Sequence, residues 1–143
     1  WAKGSVMVLP LLDDETVLLI REYGVGVDGY TLGFPKGAVH VDEDTLETAN
    51  RELQEEVGYK ASELKEVMEF ATSPGYLTAN MQLVLARGLT ESKLEGDEPE
   101  PLEVVPWRLD QVDALLANPE FVEARSIAAM LWLEREWRAK RVK

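Results

Sequence analysis

The chain has 143 residues, of which 45% are hydrophobic and 29% charged, and this composition predicts one globular domain over residues 1–143. No apolar run reaches the roughly 20 residues of a membrane-spanning helix, so we expect a soluble protein with no membrane partner. The formal net charge of -12 argues against nucleic-acid binding, because nucleic acids are bound through basic side chains at the phosphates.

The sequence contains no cysteine, which excludes a thiolate nucleophile, a thiolate metal site and a disulfide framework. Nothing therefore points to an oxidising compartment, and we expect the cytoplasm. A small phosphate compound could still be a ligand, provided that divalent cations bridge the acidic side chains to its phosphates.

The first predicted element is a β-hairpin. Residues 3–11 and 16–23 are rich in Val, Leu and Ile and flank the turn residues Asp13 and Asp14. Because the chain begins with Trp1 and enters an apolar strand almost at once, we expect further native residues upstream.

A short extended piece at residues 31–35 precedes the clearest predicted helix, over residues 45–57. Asp44 is a favourable N-cap, Glu47 occupies the third helical position as in a capping box, and Gly58 supplies the stop.

The second half predicts three more strands, at residues 64–72, 81–89 and 104–107. An acidic, proline-containing surface loop at residues 91–103 separates the last two of these strands.

Two helices are predicted after the last strand. Asp110 is expected to cap a short helix that ends near Ala117, and Asn118 followed by Pro119 predicts the start of a long final helix. The order of strands and helices favours an α/β fold, with helices on both faces of a mixed sheet.

Three glutamates lie on one face of the first long helix. Glu52, Glu55 and Glu56 are spaced i, i+3 and i+4, so their carboxylates lie together. In a partly buried cleft, two carboxylates about 6 Å apart repel by roughly 3 kcal/mol, and a cation relieves that repulsion. Such all-oxygen ligands suit Mg²⁺, with Mn²⁺ as a substitute. The alternative is a solvated acidic face without function.

A fixed pattern of glycine, arginine and glutamate spans residues 37–59. A glycine is followed after five residues by a glutamate, and after seven more by an Arg-Glu-Leu triplet. One residue separates this triplet from a Glu-Glu pair, and one more separates the pair from a second glycine. The positions are Gly37, Glu43, Arg51, Glu52, Leu53, Glu55, Glu56 and Gly58. This pattern resembles a complete Nudix box. Residues 73–76, 94–101 and 123–126 extend the similarity to the ADP-ribose pyrophosphatase-like branch of the Nudix family.

The resemblance implies the Nudix α/β/α sandwich and Mg²⁺-dependent attack of water on a diphosphate. It implies metal ligation by Glu52 and Glu56, often with Glu55, and by the backbone carbonyl of Lys36. ADP-ribose, NADH and diadenosine polyphosphates are the implied substrates, with AMP as a product. It also implies a homodimer.

The remaining catalytic candidates are an arginine of the box and the residue that acts as general base. Arg51 stands four residues before Glu55 and is expected to hold its rotamer. A metal-bound carboxylate is a poor proton acceptor, and related enzymes place their general base on a loop before the last strand. The resemblance therefore implies Glu98 or Glu100 as the base, with Glu55 as the alternative.

Four residues outside the box are candidate substrate contacts. Arg21, Tyr23 and Tyr76 are candidates for binding phosphate or stacking on a base or ribose, and Pro74 matches a proline of the ADP-ribose-cleaving members. The sequence departs from that branch at Gly33, where many members carry a glutamate. A runner-up function is a Nudix sensor that binds ADP-ribose or NAD without cleaving it, although such sensors usually lose box glutamates and this box is intact.

Overall fold

A computed structural model describes residues 4–142, which fold into seven strands and three α-helices. The strands are β1 (Ser5–Pro10), β2 (Thr16–Gly24), β3 (Gly29–Gly33), β4 (Lys36–Ala38), β5 (Tyr59–Ala71), β6 (Asn80–Glu91) and β7 (Glu103–Arg108). The helices are α1 (Thr45–Glu56), α2 (Val112–Leu116) and α3 (Ala124–Arg138). No helix among the described residues is long and apolar enough to cross a membrane.

The strands form two sheets. A mixed sheet has the order β4-β1-β6-β5, in which β1 runs parallel to β6, and an antiparallel sheet has the order β3-β2-β7. The predicted β-hairpin is wrong, because β1 and β2 belong to different sheets and only a single bridge, Leu11 to Val17, joins their ends. Residue 3, where that hairpin was predicted to begin, lies outside the described residues. Apolar periodicity identified both strands but could not specify which edge each would pair with.

Helices cover both faces of the sheets. Along β1, Val6 and Val8 pack toward α1, whereas Met7 and Leu9 pack into the core that includes α2 and α3. This alternation follows from the opposite orientation of successive side chains in a strand. The predicted α/β/α layering is therefore confirmed.

Local signals at both ends of α1 position the helix that carries the acidic face. The Asp44 carboxylate accepts a hydrogen bond of 2.8 Å from the Glu47 amide, which confirms the predicted N-cap. Gly58 adopts a left-handed φ of +81°, and its amide donates to the Leu53 carbonyl at 3.0 Å. A side chain at this φ would be strained, so glycine ends the helix here.

The predicted starts of the last two helices are wrong. Asp110 pairs with Arg108 at 3.1 Å instead of capping α2. Asn118 forms a turn, in which its side chain accepts from the Glu120 amide at 2.9 Å, and α3 begins only at Ala124 with Glu123 as its N-cap. An Asn-Pro pair fits an Asx turn as well as a helix start. The turn is favoured here because the segment after it is tied to β3, where the Leu32 amide donates to the Glu120 carbonyl at 2.9 Å.

Candidate active site

The buried carboxylates of α1 face the strand β4. Glu52 and Glu56 are each only 8% exposed, and the Lys36 amide donates to Glu56 Oε2 at 3.1 Å. A Cβ added to Gly37 would lie 2.1 Å from Glu52 Oε1, so any side chain here would displace the Glu52 carboxylate from its place against β4. The box glycine and the box glutamates therefore form one packed unit.

Arg51 joins the acids of the box into a network. Its guanidinium donates two hydrogen bonds to Glu43, at 2.7 and 3.0 Å, and one to Glu52 at 2.9 Å. It also lies 3.3 Å from Glu55, as predicted from the helical spacing. The predicted position of Arg51 beside Glu55 is thus observed, and the paired contact with Glu43 is an addition that helical spacing could not reveal.

Burial sets the electrostatics of the two central glutamates. Desolvation raises the pKa of Glu52 to about 7, with a further increase from the neighbouring Glu55 charge and a partial decrease from Arg51. Desolvation, together with repulsion from Glu52 and Glu22, raises the pKa of Glu56 to about 8. Hydrogen bonds from Arg51 lower the pKa of Glu43 to about 2. A positive charge beside Glu52 and Glu56 would offset the unfavourable free energy of ionising these buried carboxylates. Glu43 is already paired with the Arg51 guanidinium.

Sequence reasoning missed one acid of this site, Glu22 on β2. Its carboxylate lies 3.4 Å from the Lys36 ammonium, and its charge contributes to the raised pKa values of Glu56 and Glu98. Leu18 and Ile20 of the same strand pack into the core beside α1, so strand alternation turns Glu22 to that face. The alternation of side chains along β2 was therefore the sequence signal that could have identified Glu22.

The acidic loop brings Glu98 next to the box. A cavity of about 230 Å³ is lined by Glu55, Gly96, Glu98 and Glu100, among others. Burial, together with the charges of Glu22, Asp97 and Glu55, raises the pKa of Glu98. Glu100 instead accepts a hydrogen bond of 3.3 Å from the Tyr30 hydroxyl. Of the two loop residues that are candidates for the general base, Glu98 is the one whose pKa is raised by the charge of the box residue Glu55.

Arg21 and Tyr23 lie on the opposite face of β2 from Glu22. Arg21 forms a two-point ion pair with Glu120, at 2.7 and 2.9 Å, and stacks 4.2 Å from the centre of the Tyr30 ring. Tyr23 meets the same ring edge to face, at a centroid distance of 5.8 Å. The structure brings these two residues together as one aromatic surface, but not with the box carboxylates.

Pro74 and Tyr76 lie in the turn between β5 and β6. The Tyr76 side chain is 91% exposed, and the amides of Tyr76 and Leu77 both donate to the Ser73 carbonyl. This turn presents the tyrosine to solvent.

The residues around Gly37 fit a hard divalent cation. Within residues 4–142, no three acidic or histidine side chains are grouped closely enough to hold a metal ion as they stand. One oxygen of Glu52 accepts a hydrogen bond from Arg51, and one oxygen of Glu56 accepts from the Lys36 amide. The donor set is nevertheless entirely oxygen, two of its carboxylates are buried with raised pKa values, and Gly37 leaves room for one of them. These are properties of a site for a hard divalent cation.

The fold and the box geometry together define a Nudix-type domain. A family model described as the NUDIX domain matches residues 2–132, and the chain belongs to that family. It is 47% identical over 135 residues to the ADP compounds hydrolase NudE of Escherichia coli (strain K12), a match that covers 94% of this chain and 72% of that protein. It is 31% identical over 133 residues to the ADP-ribose pyrophosphatase of Bacillus subtilis (strain 168), covering 92% of this chain and 72% of the relative.

A solved structure agrees with the predicted fold class. The crystal structure of an ADP compounds hydrolase matches with a TM-score of 0.89 at 44% identity, and the match covers 96% of this chain and 74% of that one. The predicted membership in the Nudix hydrolase family is thereby confirmed.

Proposed function

We propose that this protein is a divalent-metal-dependent pyrophosphohydrolase that cleaves the diphosphate of ADP-linked compounds and releases AMP. The observation that carries the proposal is the packing of an intact box, in which Glu52 and Glu56 are buried against Gly37 and the Lys36 amide. The similarity to an ADP compounds hydrolase and to an ADP-ribose pyrophosphatase supports the choice of substrate class. ADP-ribose, NADH and diadenosine polyphosphates are the proposed substrates.

The cation is proposed to be Mg²⁺, held by Glu52, Glu56 and Glu55 and by the Lys36 carbonyl, with Mn²⁺ as a substitute. When bound, it supplies positive charge that polarises the phosphate oxygens and lowers the pKa of water. Around it, Arg51 fixes the orientations of Glu52 and Glu55 through a guanidinium that Glu43 anchors. The side chain of Lys36 neutralises part of the charge on Glu22.

Glu98 is proposed as the general base. Its raised pKa makes it a stronger proton acceptor than an ordinary glutamate, and it faces the cavity beside Glu55. Glu100 is the second candidate on the same loop, but its hydrogen bond to Tyr30 engages one oxygen. Glu55 remains the candidate if neither loop residue is required.

The adenosine half is proposed to bind near the aromatic surface of Arg21, Tyr23 and Tyr30. Tyr30 connects this surface to the acidic loop through Glu100, so a ligand could contact both. Pro74 and Tyr76 are proposed to contact the other half of the substrate from their exposed turn.

We further propose a homodimer of single-domain subunits in the cytoplasm. Support for association comes from exposed apolar side chains beside the aromatic surface, since Tyr23, Val25 and Val27 are 49%, 85% and 59% exposed. The net charge gives no support for a nucleic-acid partner.

The test is a product assay across a panel of ADP-ribose, NADH, diadenosine polyphosphates, GDP-mannose and ADP-sugars. We expect AMP from the ADP-linked members in the presence of Mg²⁺, and no product in excess EDTA. Hydrolysis that persists undiminished in EDTA would contradict metal dependence. Binding of ADP-ribose without any product would support the sensor alternative instead.

A further inference from the structure

A buried serine connects the start of α3 to the strand that leads into the box. Ser126 has no exposed surface, and its hydroxyl donates to Glu123 at 3.2 Å while accepting from the Phe34 amide at 3.1 Å. Glu123 also accepts from the amides of Arg125 and Ser126, so its carboxylate caps the helix and orients the serine at once. The cap of α3 is thereby hydrogen-bonded, through one hydroxyl, to the backbone just before β4.

The contact leaves no space at Gly33. A Cβ added there would lie 3.0 Å from Ser126 Oγ, a separation that would displace the hydroxyl by a few tenths of an ångström. Gly33 is the position at which the sequence departs from many ADP-ribose pyrophosphatases by lacking a glutamate. In this protein the space beside that position holds the Ser126 hydroxyl.

The segment that Ser126 holds is also the one that meets Glu56. The Phe34 side chain is fully buried, the Pro35 carbonyl accepts from the Val8 amide at 2.9 Å, and the Lys36 amide donates to Glu56 at 3.1 Å. The backbone of these three consecutive residues is therefore hydrogen-bonded to α3, to β1 and to α1 in turn, and Lys36 also pairs with Met7 of β1. Loss of the first would loosen the peptide that faces the buried carboxylate.

We propose that Glu123 and Ser126 are positioning residues for the metal site, which hold the 34–36 backbone so that the Lys36 peptide stays on Glu56. Capping of α3 requires only Glu123, because its carboxylate accepts hydrogen bonds from the amides of Arg125 and Ser126. The hydrogen bond that the Phe34 amide donates to Ser126 Oγ is not part of this cap, and it fixes the backbone that leads into the box. This inference rests on the proposed function only for its metal, since the hydrogen bonds do not depend on the substrate.

The experiment compares S126A with W137F, a control on the same helix that removes a hydrogen bond of 2.8 Å from the indole to the Asp14 carbonyl, far along α3 from the box. Mn²⁺ affinity is measured by electron paramagnetic resonance on the full chain, and exchange of the Phe34 and Lys36 amides is measured by NMR without metal. We expect S126A to bind Mn²⁺ about 10- to 100-fold more weakly and to exchange both amides faster, as for other outer partners of metal ligands. W137F should change neither.

A second variant guards against loss of folding in S126A. G33A keeps the hydroxyl but crowds it, so weaker Mn²⁺ binding is expected there too. In both variants, kcat at low metal should fall and recover as metal is raised, while KM for substrate stays constant. Unchanged Mn²⁺ affinity in S126A and G33A, or an equal loss in W137F, would overturn the proposal. If the wild-type protein cleaved none of the ADP compounds while S126A still weakened Mn²⁺ binding, the proposed function would fail and this inference would stand.

Discussion

Glu52 and Glu56 are buried residues that ionise at a cost. A buried carboxylate without a cation is destabilised by desolvation, and here the charge of Glu52 raises the pKa of Glu56 further. The helix nevertheless holds both at this depth, because the hydrophobic side of α1 is anchored by Ala49 and Leu53, which have no exposed surface. The core behind the helix therefore fixes the positions of both carboxylates.

Neutral replacements of these two residues should remove activity without removing the fold. We expect E52Q and E56Q each to lower kcat by at least about 100-fold, because each removes a charged metal ligand and very little volume. Steady-state kinetics with ADP-ribose and circular dichroism measure the two effects. E47Q, which changes an exposed glutamate of the same helix, is the matched control. Wild-type turnover in either box variant would refute the assigned roles.

Arg51 should resist even a conservative replacement. R51K keeps the charge but cannot donate two parallel hydrogen bonds to Glu43 while also reaching Glu52, so we expect kcat to fall by about 10- to 100-fold. The pKa of Glu43, about 2 in the wild-type protein, should rise toward its ordinary value, which carboxyl-detected NMR can follow. A kcat and a Glu43 pKa that both stay at wild-type values would show that the network is dispensable.

Sequence reasoning located the box residues but not their surroundings. Glu52, Glu55 and Arg51 were predictable because they lie within one helical turn, where spacing alone fixes proximity. Strand alternation indicated only which face of β2 carries Glu22. Its approach to Lys36, and the contact of Glu43 with Arg51, arise from the packing of β2 and of the loop before α1 against that helix, which no local pattern encodes.

Among the elements, α1 was predicted well and α3 was not. Both ends of α1 are set by residues that act on their own backbone, Asp44 and Gly58, so the sequence specifies them directly. The start of α3 is set by Glu123, because the segment before it is held in a turn whose Glu120 carbonyl accepts a hydrogen bond from Leu32 of β3. Sequence signals at helix ends are reliable only where the cap is local.

The loop between β6 and β7 is the element on which the choice of base depends. We expect E98Q to lower kcat by about 100- to 10,000-fold with substrate and Mg²⁺ affinity nearly unchanged, because only proton transfer is lost. E100Q is the matched control and should have a much smaller effect, since Glu100 bonds Tyr30. Should E98Q, E100Q and the double variant all keep near wild-type kcat, Glu55 or another box carboxylate must serve as the base.

At the scale of the whole molecule, the buried glutamates predict a stability that depends on pH and metal. The pKa values of Glu52 and Glu56, about 7 and 8, lie above the ordinary value of 4.5. Their favourable contribution to the free energy of unfolding is therefore complete below about pH 4.5 and is lost as the pH rises through 7 and 8. Glu43 acts in the opposite direction, and its contribution is lost only as the pH falls toward 2.

The melting temperature in EDTA should therefore fall between about pH 4.5 and pH 8, and Mg²⁺ should flatten this fall because the cation replaces the lost protons. Thermal melts at several pH values with EDTA or Mg²⁺ measure the effect. The E52Q/E56Q double variant should lose both the pH dependence and the response to Mg²⁺. A wild-type melting temperature that does not change with pH or metal would contradict the assignment.

Association is the second property at this scale. We expect a homodimer in solution, and light scattering at micromolar concentration should give twice the subunit mass. V25D, on the exposed segment between β2 and β3, should weaken the dimer if that segment is buried in it, whereas E63Q, on the exposed part of β5, should not. A clean monomer mass for the full-length wild-type protein would count against the dimer.

The parallel pairing of β1 with β6 has a consequence for how the protein forms during synthesis. Ser5 pairs with Met81 and Pro10 with Ala86. During synthesis, β1 therefore cannot pair with β6 until the middle of the chain has been made. Pairings between segments so distant along the chain require loop closure before they gain any contacts, which slows folding. The segment from β4 to the end of α1 is complete earlier on the ribosome. We therefore expect it to depend on β6 for its final burial, so that the nascent chain acquires hydrolytic competence late, only after more than half of it has emerged.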